Sequence, residues 1–255
     1  MDAGVWRLLP FERRTGEENM TFDRALADRI LSGDDTPTLR FYGWRPWSIS
    51  LGYHQSERDI DLDRCRSLGI DVVRRPTGGR AILHANELTY SVTLPADGRG
   101  ITEIYAMISR ALVAGLSRIA PDISYANSQP NLAAFYQKQE SIPCFSASAR
   151  YEVQIGGRKL VGSAQRRFTA ENGRESVLQH GSILLGPEHR QLAELLTVKD
   201  PSVREKIRED IDTKTIDLAA AVGRTVTPEE AADAVRTGFE HTLNIQWEHI
   251  TESVQ

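Results

Sequence analysis

Between residues 70 and 95 three strand-forming runs, IDVVRR, RAILH and LTYSVTLP, follow one another in quick succession. Each is rich in β-branched or aromatic residues, the composition that suits a pleated, half-buried surface. TLRFYGW and WSISLGY, joined around Pro46, precede them, and VLQHGSILLG follows later. Helical patterns lie between these strands. Thr21 reads as the N-cap of a helix over FDRALADRIL, with Phe22, Ala25, Leu26 and Ile30 as its buried stripe and Gly33 as its stop. From Thr102 a second long pattern places Ile104, Ile108, Ala111, Leu112 and Leu116 at helical spacing. DLDRCRSLG is a short helix containing Cys65. Thr227-Pro228-Glu229-Glu230 combines an N-cap, a first-turn proline and a capping-box glutamate ahead of a helix toward Leu243. Strands and helices interspersed in this way, with several apparent antiparallel pairs, imply an α+β fold with a mixed, largely antiparallel sheet flanked by helices. No linker composition interrupts the chain, so a single domain over residues 1–255 is expected.

RYEVQI-GG-RKLVGSAQRR reads as a β-hairpin, because Gly156 and Gly157 supply the positive φ angles of a tight turn. Its register places Lys159 opposite about residue 154. Residues 126–143 show no sustained period, and a loop of that length is usually functional or mobile. Cys144 follows that loop directly after Pro143. A straight strand from 154 back to 144 would separate Cys144 from Lys159 by roughly 33 Å, at ~3.3 Å per residue. The two side chains meet only if residues 144–149 fold back, which the small residues of FSASA permit.

The bulk properties exclude several classes. A net charge of −4 leaves no overall nucleic-acid footprint. No apolar run reaches the roughly 18 residues of a membrane span, and MDAGVWRLLPFERR lacks the apolar core of a secretory signal. Two cysteines, Cys65 and Cys144, form neither a disulfide framework nor a metal-ligand spacing. A cytoplasmic location, no membrane and no bound metal are therefore expected. Positive charge is nevertheless clustered, with Arg74, Arg75 and Arg80 around one glycine pair and Arg158, Lys159, Arg166 and Arg167 around another. Such clusters either form solvated basic faces or meet an anionic partner.

The turn RRPTGGRAILH is neither a Walker loop nor a dinucleotide fingerprint, since GxxxxGK[ST] and GxGxxG are both absent. Taken alone it fits two roles. Gly78 and Gly79 can line a cradle for a carbonyl, phosphate or pantetheine group, with backbone amides exposed to it. They can equally form a plain hairpin turn carrying exposed arginines. His84 ends the following strand, either as a structural residue or as a base or positioning group.

RRPTGGRAILHANELTYSV, GRKLVGSAQRR and LQHGSILL, in that order and spacing, resemble the lipoate-protein ligase A family. TLRFYGWRPWSISLGYHQ and GFEHTLNI fit it too, so the resemblance covers nearly the whole chain. It implies the catalytic fold shared by biotin and lipoate ligases, without a separate accessory domain. Substrate contacts are implied for Arg75, Gly78, Gly79, Arg80, His84, Gly162, Ser163, Ala164 and His180, the last shaping the site rather than acting as a base. One departure stands out: the family often carries an acidic residue after the motif histidine, where this chain has Ala85.

Two chemistries occur in that family. ATP-dependent ligases activate free lipoate as an adenylate, with ATP and Mg; octanoyltransferases pass an acyl chain through a cysteine and need no cofactor. PCF ahead of the hairpin resembles the nucleophile position of the transferases, and Arg80 stands where the ligases usually continue the glycine run. The implied activity is a protein N-octanoyltransferase, taking octanoyl from acyl carrier protein to a lysine of a lipoyl-accepting protein such as the glycine cleavage H protein, in lipoate biosynthesis. The chemistry agrees with elementary reactivity. A thiol with a pKa of about 8.5 is a minor thiolate at neutral pH, and a nearby cation lowers that pKa. Lys159 would activate Cys144 and hydrogen-bond the developing oxyanion. Arg74, Arg75, Arg166 and Arg167 would steer acidic partner proteins. A monomer is expected. The competing readings are the ATP-dependent ligase and, on the strength of Ala85, a non-catalytic acyl-binding protein.

Overall fold

Leu160 is one residue through which two sheets of this protein communicate. Its N–H donates to the Val153 carbonyl at 3.0 Å and its own carbonyl accepts from Leu184 N–H at 3.2 Å. The structure is a computed structural model that describes residues 4–125 and 152–248. In chain order it holds β1 (Gly4–Arg14), α1 (Gly16–Leu31), β2 (Thr38–Trp44), β3 (Ser48–Leu51), α2 (Leu62–Ser67), β4 (Asp71–Arg74), β5 (Ile82–His84) and β6 (Glu87–Pro95). Then follow α3 (Ile101–Leu116), β7 (Ile123–Tyr125), β8 (Val153–Ile155), β9 (Arg158–Lys159), β10 (Val161–Thr169) and β11 (Glu175–Leu184). The described chain closes with α4 (Pro201–Lys214), α5 (Leu218–Val222), α6 (Pro228–Leu243) and β12 (Ile245–Trp247).

The main sheet runs β10-β11-β6-β2-β1-β12. Its first three pairings are antiparallel, and the two involving β1 are parallel. Strands β4-β3-β5 and β7-β8-β9 make two smaller sheets. The expected α+β class with a mixed, largely antiparallel sheet flanked by helices is what the chain adopts. One face of the main sheet packs on α3 and α6 around Leu88, Tyr90, Val92, Ile108, Leu112, Val235 and Phe239. Those two helices touch backbone to backbone: a Cβ on Gly115 would sit 2.3 Å from the Ala234 carbonyl oxygen. Helix α1 lies on the opposite side, and that side holds the site.

Several local expectations need correction. Helix α1 starts at Gly16 with Thr15 as N-cap, its hydroxyl and the Glu18 carboxylate forming a reciprocal capping box. The inward face is then Asn19, Met20, Asp23, Leu26, Ala27 and Ile30, whereas Phe22 is half-buried and Ala25 exposed. The segment 71–84 is not a hairpin. Strands β4 and β5 flank β3 on opposite edges, parallel and antiparallel to it, so the glycine turn carries the chain across β3. The hairpin at 153–159 has the expected register, with Gln154 opposite Lys159. Its second strand stops at Lys159, because Leu160 turns into the core and hands the chain to β10 in the main sheet.

Candidate functional site

Register alone sets one row of the site. His180 on β11 stands opposite Ala164 on β10 and Ser91 on β6, and Ser91 stands opposite Arg40 on β2. Directly opposed residues project from the same face, here the one covered by α1. Asp23 on that helix gathers the row together. Its carboxylate accepts from Arg40 Nη1, Ser91 Oγ and Tyr42 Oη, each at 2.8 Å, and from His180 Nδ1 at 3.0 Å. Burial pushes the Asp23 carboxyl up, but the His180 hydrogen bond and the His180 and Arg40 charges outweigh it, so the group sits below its ordinary value. Burial, with the Asp23 charge behind it, holds the Tyr42 phenol well above its usual range.

A carboxylate can only accept, so His180 Nδ1 is the donor to Asp23. The other nitrogen, Nε2, lies 2.6 Å from Thr77 Oγ1. Thr77 belongs to the glycine turn, and its carbonyl accepts from Tyr53 N–H at 2.9 Å. The third motif of the sequence is thereby fastened directly to the first, and α1 holds the histidine from its other nitrogen.

The turn has its own scaffold in Arg75. Its guanidinium donates to the carbonyls of Ser50, Gly78 and Arg80 and to Ser50 Oγ, at 2.7–3.1 Å. Gly79 has φ +92°, and its carbonyl presses on Gly52 so closely that a Cβ there would stand 2.0 Å from the oxygen. Ser50 Oγ, taking a hydrogen bond from Arg75, faces His84 Nε2 at 2.8 Å. The His84 ring stacks on Trp44 with centroids 3.9 Å apart. Its Nδ1 is 3.6 Å from Glu87 Oε1, too long for a hydrogen bond. Burial lowers the His84 pKa despite that carboxylate, so the ring is held neutral at physiological pH. Glu87 is itself buried, accepting from Thr89 Oγ1 at 2.7 Å and from Ser182 Oγ.

These groups line a narrow cavity with about 20 Å³ of free space, room for about one water molecule. Met20, Tyr42, Trp44 and Ile82 give it apolar walls; Ser50, Arg75, His84, Thr89, His180 and Ser182 give it polar ones. Gly162, Ser163, Ala164 and Gly181 complete the lining. Gly181 has no room for a side chain, since a Cβ would lie 2.7 Å from Ser163 Oγ and from the Tyr90 ring.

Six of the residues singled out in the sequence therefore share one cavity: Arg75, His84, Gly162, Ser163, Ala164 and His180. Gly78, Gly79 and Arg80 lie in the adjoining turn and do not line it; a Cβ on Gly78 would meet open space. Lys159 is buried beside β8, its ammonium 2.5 Å from Glu152 Oε1, and is not among the lining residues. Cys144, and the fold-back expected of residues 144–149, lie outside the described residues. Arg75 is buried, so it shapes the turn and is unavailable to steer a partner. Arg167 is paired with Glu175 at 2.9 Å, leaving Arg74 and Arg166 nearer solvent. Cys65 is buried in α2, and burial raises its thiol pKa. Leu83 and Val161 pack in the core.

Sequence reasoning missed Asp23, Arg40, Tyr42, Thr77, Glu87 and Glu152. The signal for Asp23 was present: Asn19, Asp23, Leu26, Ala27 and Ile30 share one helical face, and a carboxylate on a buried face requires partners. Glu87 heads a strand whose next seven residues are all buried, which is an equally strong reason to expect a buried carboxylate. Among the described residues no group of three or more His, Cys, Asp or Glu could hold a metal ion, and no helix is long and apolar enough to cross a membrane.

Comparison with known proteins places this arrangement. Residues 15–240 match the family model of the lipoyl protein ligase A/B catalytic domain. The octanoyltransferase LipM of Geobacillus kaustophilus is 39% identical over 98% of this chain and 91% of its own length. That of Symbiobacterium thermophilum is 40% identical over 94% of this chain and 87% of its own. Among solved structures, a lipoate-protein ligase A bound with ATP superposes with a TM-score of 0.75 at 26% identity, covering 99% of this chain and 90% of that one. The bipartite lipoate protein ligase of Thermoplasma acidophilum, studied with its E2 lipoyl domain, gives 0.73 at 26% identity, covering 99% and 88%.

Proposed function

This chain belongs to the lipoyl protein ligase A/B catalytic-domain family, and from that premise we propose that it is a protein octanoyltransferase of lipoate biosynthesis. The observation that carries the reading is 37–40% identity to proteins named octanoyltransferase over 94–98% of the chain. The likeness to ligases of known structure is 24–26%. The character of the lining supports it, since its apolar side chains suit a short acyl chain and its polar ones a carbonyl end.

In the mechanism we propose, octanoyl arrives as a thioester of acyl carrier protein. The Cys144 thiolate attacks the carbonyl carbon; the carbon–sulfur bond to the carrier breaks and the carrier leaves as its thiol. A lysine amine of a lipoyl-accepting protein, such as the glycine cleavage H protein, then attacks the Cys144 thioester. An amide forms and Cys144 returns to the thiol. The first step exchanges one thioester for another, and the second runs downhill to an amide, so neither draws on a nucleotide. Lys159, held by Glu152, is the cation assigned to the thiolate and to charge developing on the carbonyl oxygen. Arg75, His84 and His180 hold the walls of the acyl cavity, and Ala85 leaves Glu87 as the carboxylate nearest His84.

Octanoyl transfer from carrier to acceptor protein, followed without ATP and separately with free octanoate plus ATP, tests the reading. Transfer in the first mixture is the expected result. Transfer in the second alone would assign the chain to the ATP-dependent ligases, and acyl binding without turnover in either would make it a binding protein.

A further inference from the structure

Beside the acyl cavity an open groove runs between α1 and β4, with Met20, Thr21, Arg24, Tyr53, Arg74 and Pro76 on its walls. Met20 and Arg75 line both spaces, so the groove and the cavity abut at those side chains. Glu17 is the one acidic residue in its described lining. Its mouth gathers cations. Arg24 and Arg166 stand over the same Phe168 ring, 4.3 and 5.0 Å from its centroid, and Arg166 also lies 4.2 Å from that of Tyr53. Like charges gathered around these rings repel one another, and an anion bound there relieves the repulsion.

Local carboxylates answer only part of that charge. Arg24 pairs with Asp28 at 2.6 Å, and Arg74 reaches Glu57 at 3.5 Å. Arg166 donates from Nη1 to the neutral Pro76 carbonyl at 2.7 Å, and among the described residues no carboxylate pairs with it. Most of the five N–H groups a guanidinium carries are thus left for a ligand. The platform is pinned to the glycine turn: Tyr53 N–H donates to Thr77, and the Tyr53 carbonyl accepts from Arg74. Tyr53 as a whole stays 45% exposed. Met20, Val72, Val73 and Pro76 add apolar side chains to the groove's lining.

A groove with cationic and apolar lining that abuts the cavity matches a slender chain with phosphate at one end and a thioester at the other. We propose that this groove binds the phosphopantetheine arm of the acyl donor, its phosphate held by Arg166, with Arg24 adding charge beside it, and its thioester directed past Met20 and Arg75 to the cavity. Arginine suits the phosphate because its planar fork gives paired, charge-assisted hydrogen bonds. The assignment rests on the octanoyl-transfer reading, and its test separates the two.

Phosphopantetheine without an acyl group is titrated calorimetrically into the full chain, with pantetheine, which lacks the phosphate, as the comparison. The phosphorylated compound is expected to bind at least about tenfold more tightly, and Arg166→Gln to reduce that preference to about twofold or less. Arg24→Gln, which leaves the Pro76 carbonyl contact in place, is expected to reduce it by a smaller factor and serves if Arg166→Gln does not fold. Equal binding of both compounds by the parent chain, or a preference that survives both substitutions, overturns the proposal whether or not octanoyl is transferred. A chain that shows the preference yet transfers no octanoyl refutes the reading of function and leaves this site standing. Displacement of phosphopantetheine by holo carrier protein, and not by its apo form, supports a carrier-borne arm; displacement by coenzyme A alone supports the same site with that source.

Discussion

Thr77 and His180 are 103 positions apart in sequence, and their side chains meet at 2.6 Å. Through His180 Nδ1 the contact continues to Asp23, and from there to Arg40, Tyr42 and Ser91. The glycine turn is therefore held by a buried polar network that spans α1 and three adjacent strands of the main sheet. Such a network stabilises only when every member is satisfied.

Thr77→Val keeps the shape of the side chain but leaves His180 Nε2 buried without its partner. A loss of about 1–3 kcal/mol is expected, the usual cost of an orphaned buried polar group. Denaturant unfolding measures it. A double-mutant cycle with His180→Phe should show strong coupling; additive losses would mean that the contact contributes nothing of its own.

Asp23→Asn replaces the acceptor on which the network converges and leaves Arg40 buried without its carboxylate. The expected loss is about 3–5 kcal/mol, as for other broken buried ion pairs. Because the folded Asp23 pKa is depressed, its contribution is fully present above the unfolded carboxylate pKa and is lost as pH falls through the folded one. Acid unfolding of Asp23→Asn should accordingly lack that component.

His84 acts in the same direction at higher pH. Burial lowers its folded pKa, so below its unfolded value of about 6.5 the unfolded chain binds the extra proton. Stability should decline as pH drops from about 7 toward the folded pKa, and His84→Gln should flatten that slope. A slope that His84→Gln leaves unchanged would place the titration elsewhere.

Glu152→Gln removes the carboxylate paired with the buried Lys159 ammonium. If Lys159 supplies the charge in the reaction, this substitution shifts the pH profile of kcat/KM as well as lowering stability. Lys159→Met should then abolish transfer while thermal unfolding still reports a folded chain. A purely structural pair would lower Tm and leave the pH profile where it was.

Period and turn chemistry made much of this architecture legible. The strands at 38–44, 82–84, 87–95 and 175–184, the helix at 101–116 and the Gln154–Lys159 register all follow from local patterns. What was not legible is long-range. Nothing local reveals that β4 and β5 pair with β3 rather than with each other, because a glycine turn serves either path. Arg75 reads as one of three surface arginines, yet it is buried and bent inward to collect the carbonyls of the glycine turn. Asp23 was overlooked because Phe22 and Ala25 made a plausible stripe; a start at Thr15 rotates that choice out of the core. Within the site, six cavity residues came from three motifs whose order resembles a known family; the carboxylates Asp23 and Glu87 were marked only by the buried faces they occupy, and Glu152 carries no mark of its own.

The central claim is a covalent route through Cys144, and intact-mass measurement tests it most directly. The chain is mixed with octanoyl carrier protein in the absence of ATP, and acceptor protein is added afterwards. The account predicts a mass increase of one octanoyl group that peptide mapping assigns to Cys144. It also predicts decay of that species as the acceptor gains octanoyl, with both events absent from Cys144→Ser. Transfer by Cys144→Ser at the parent rate would contradict it.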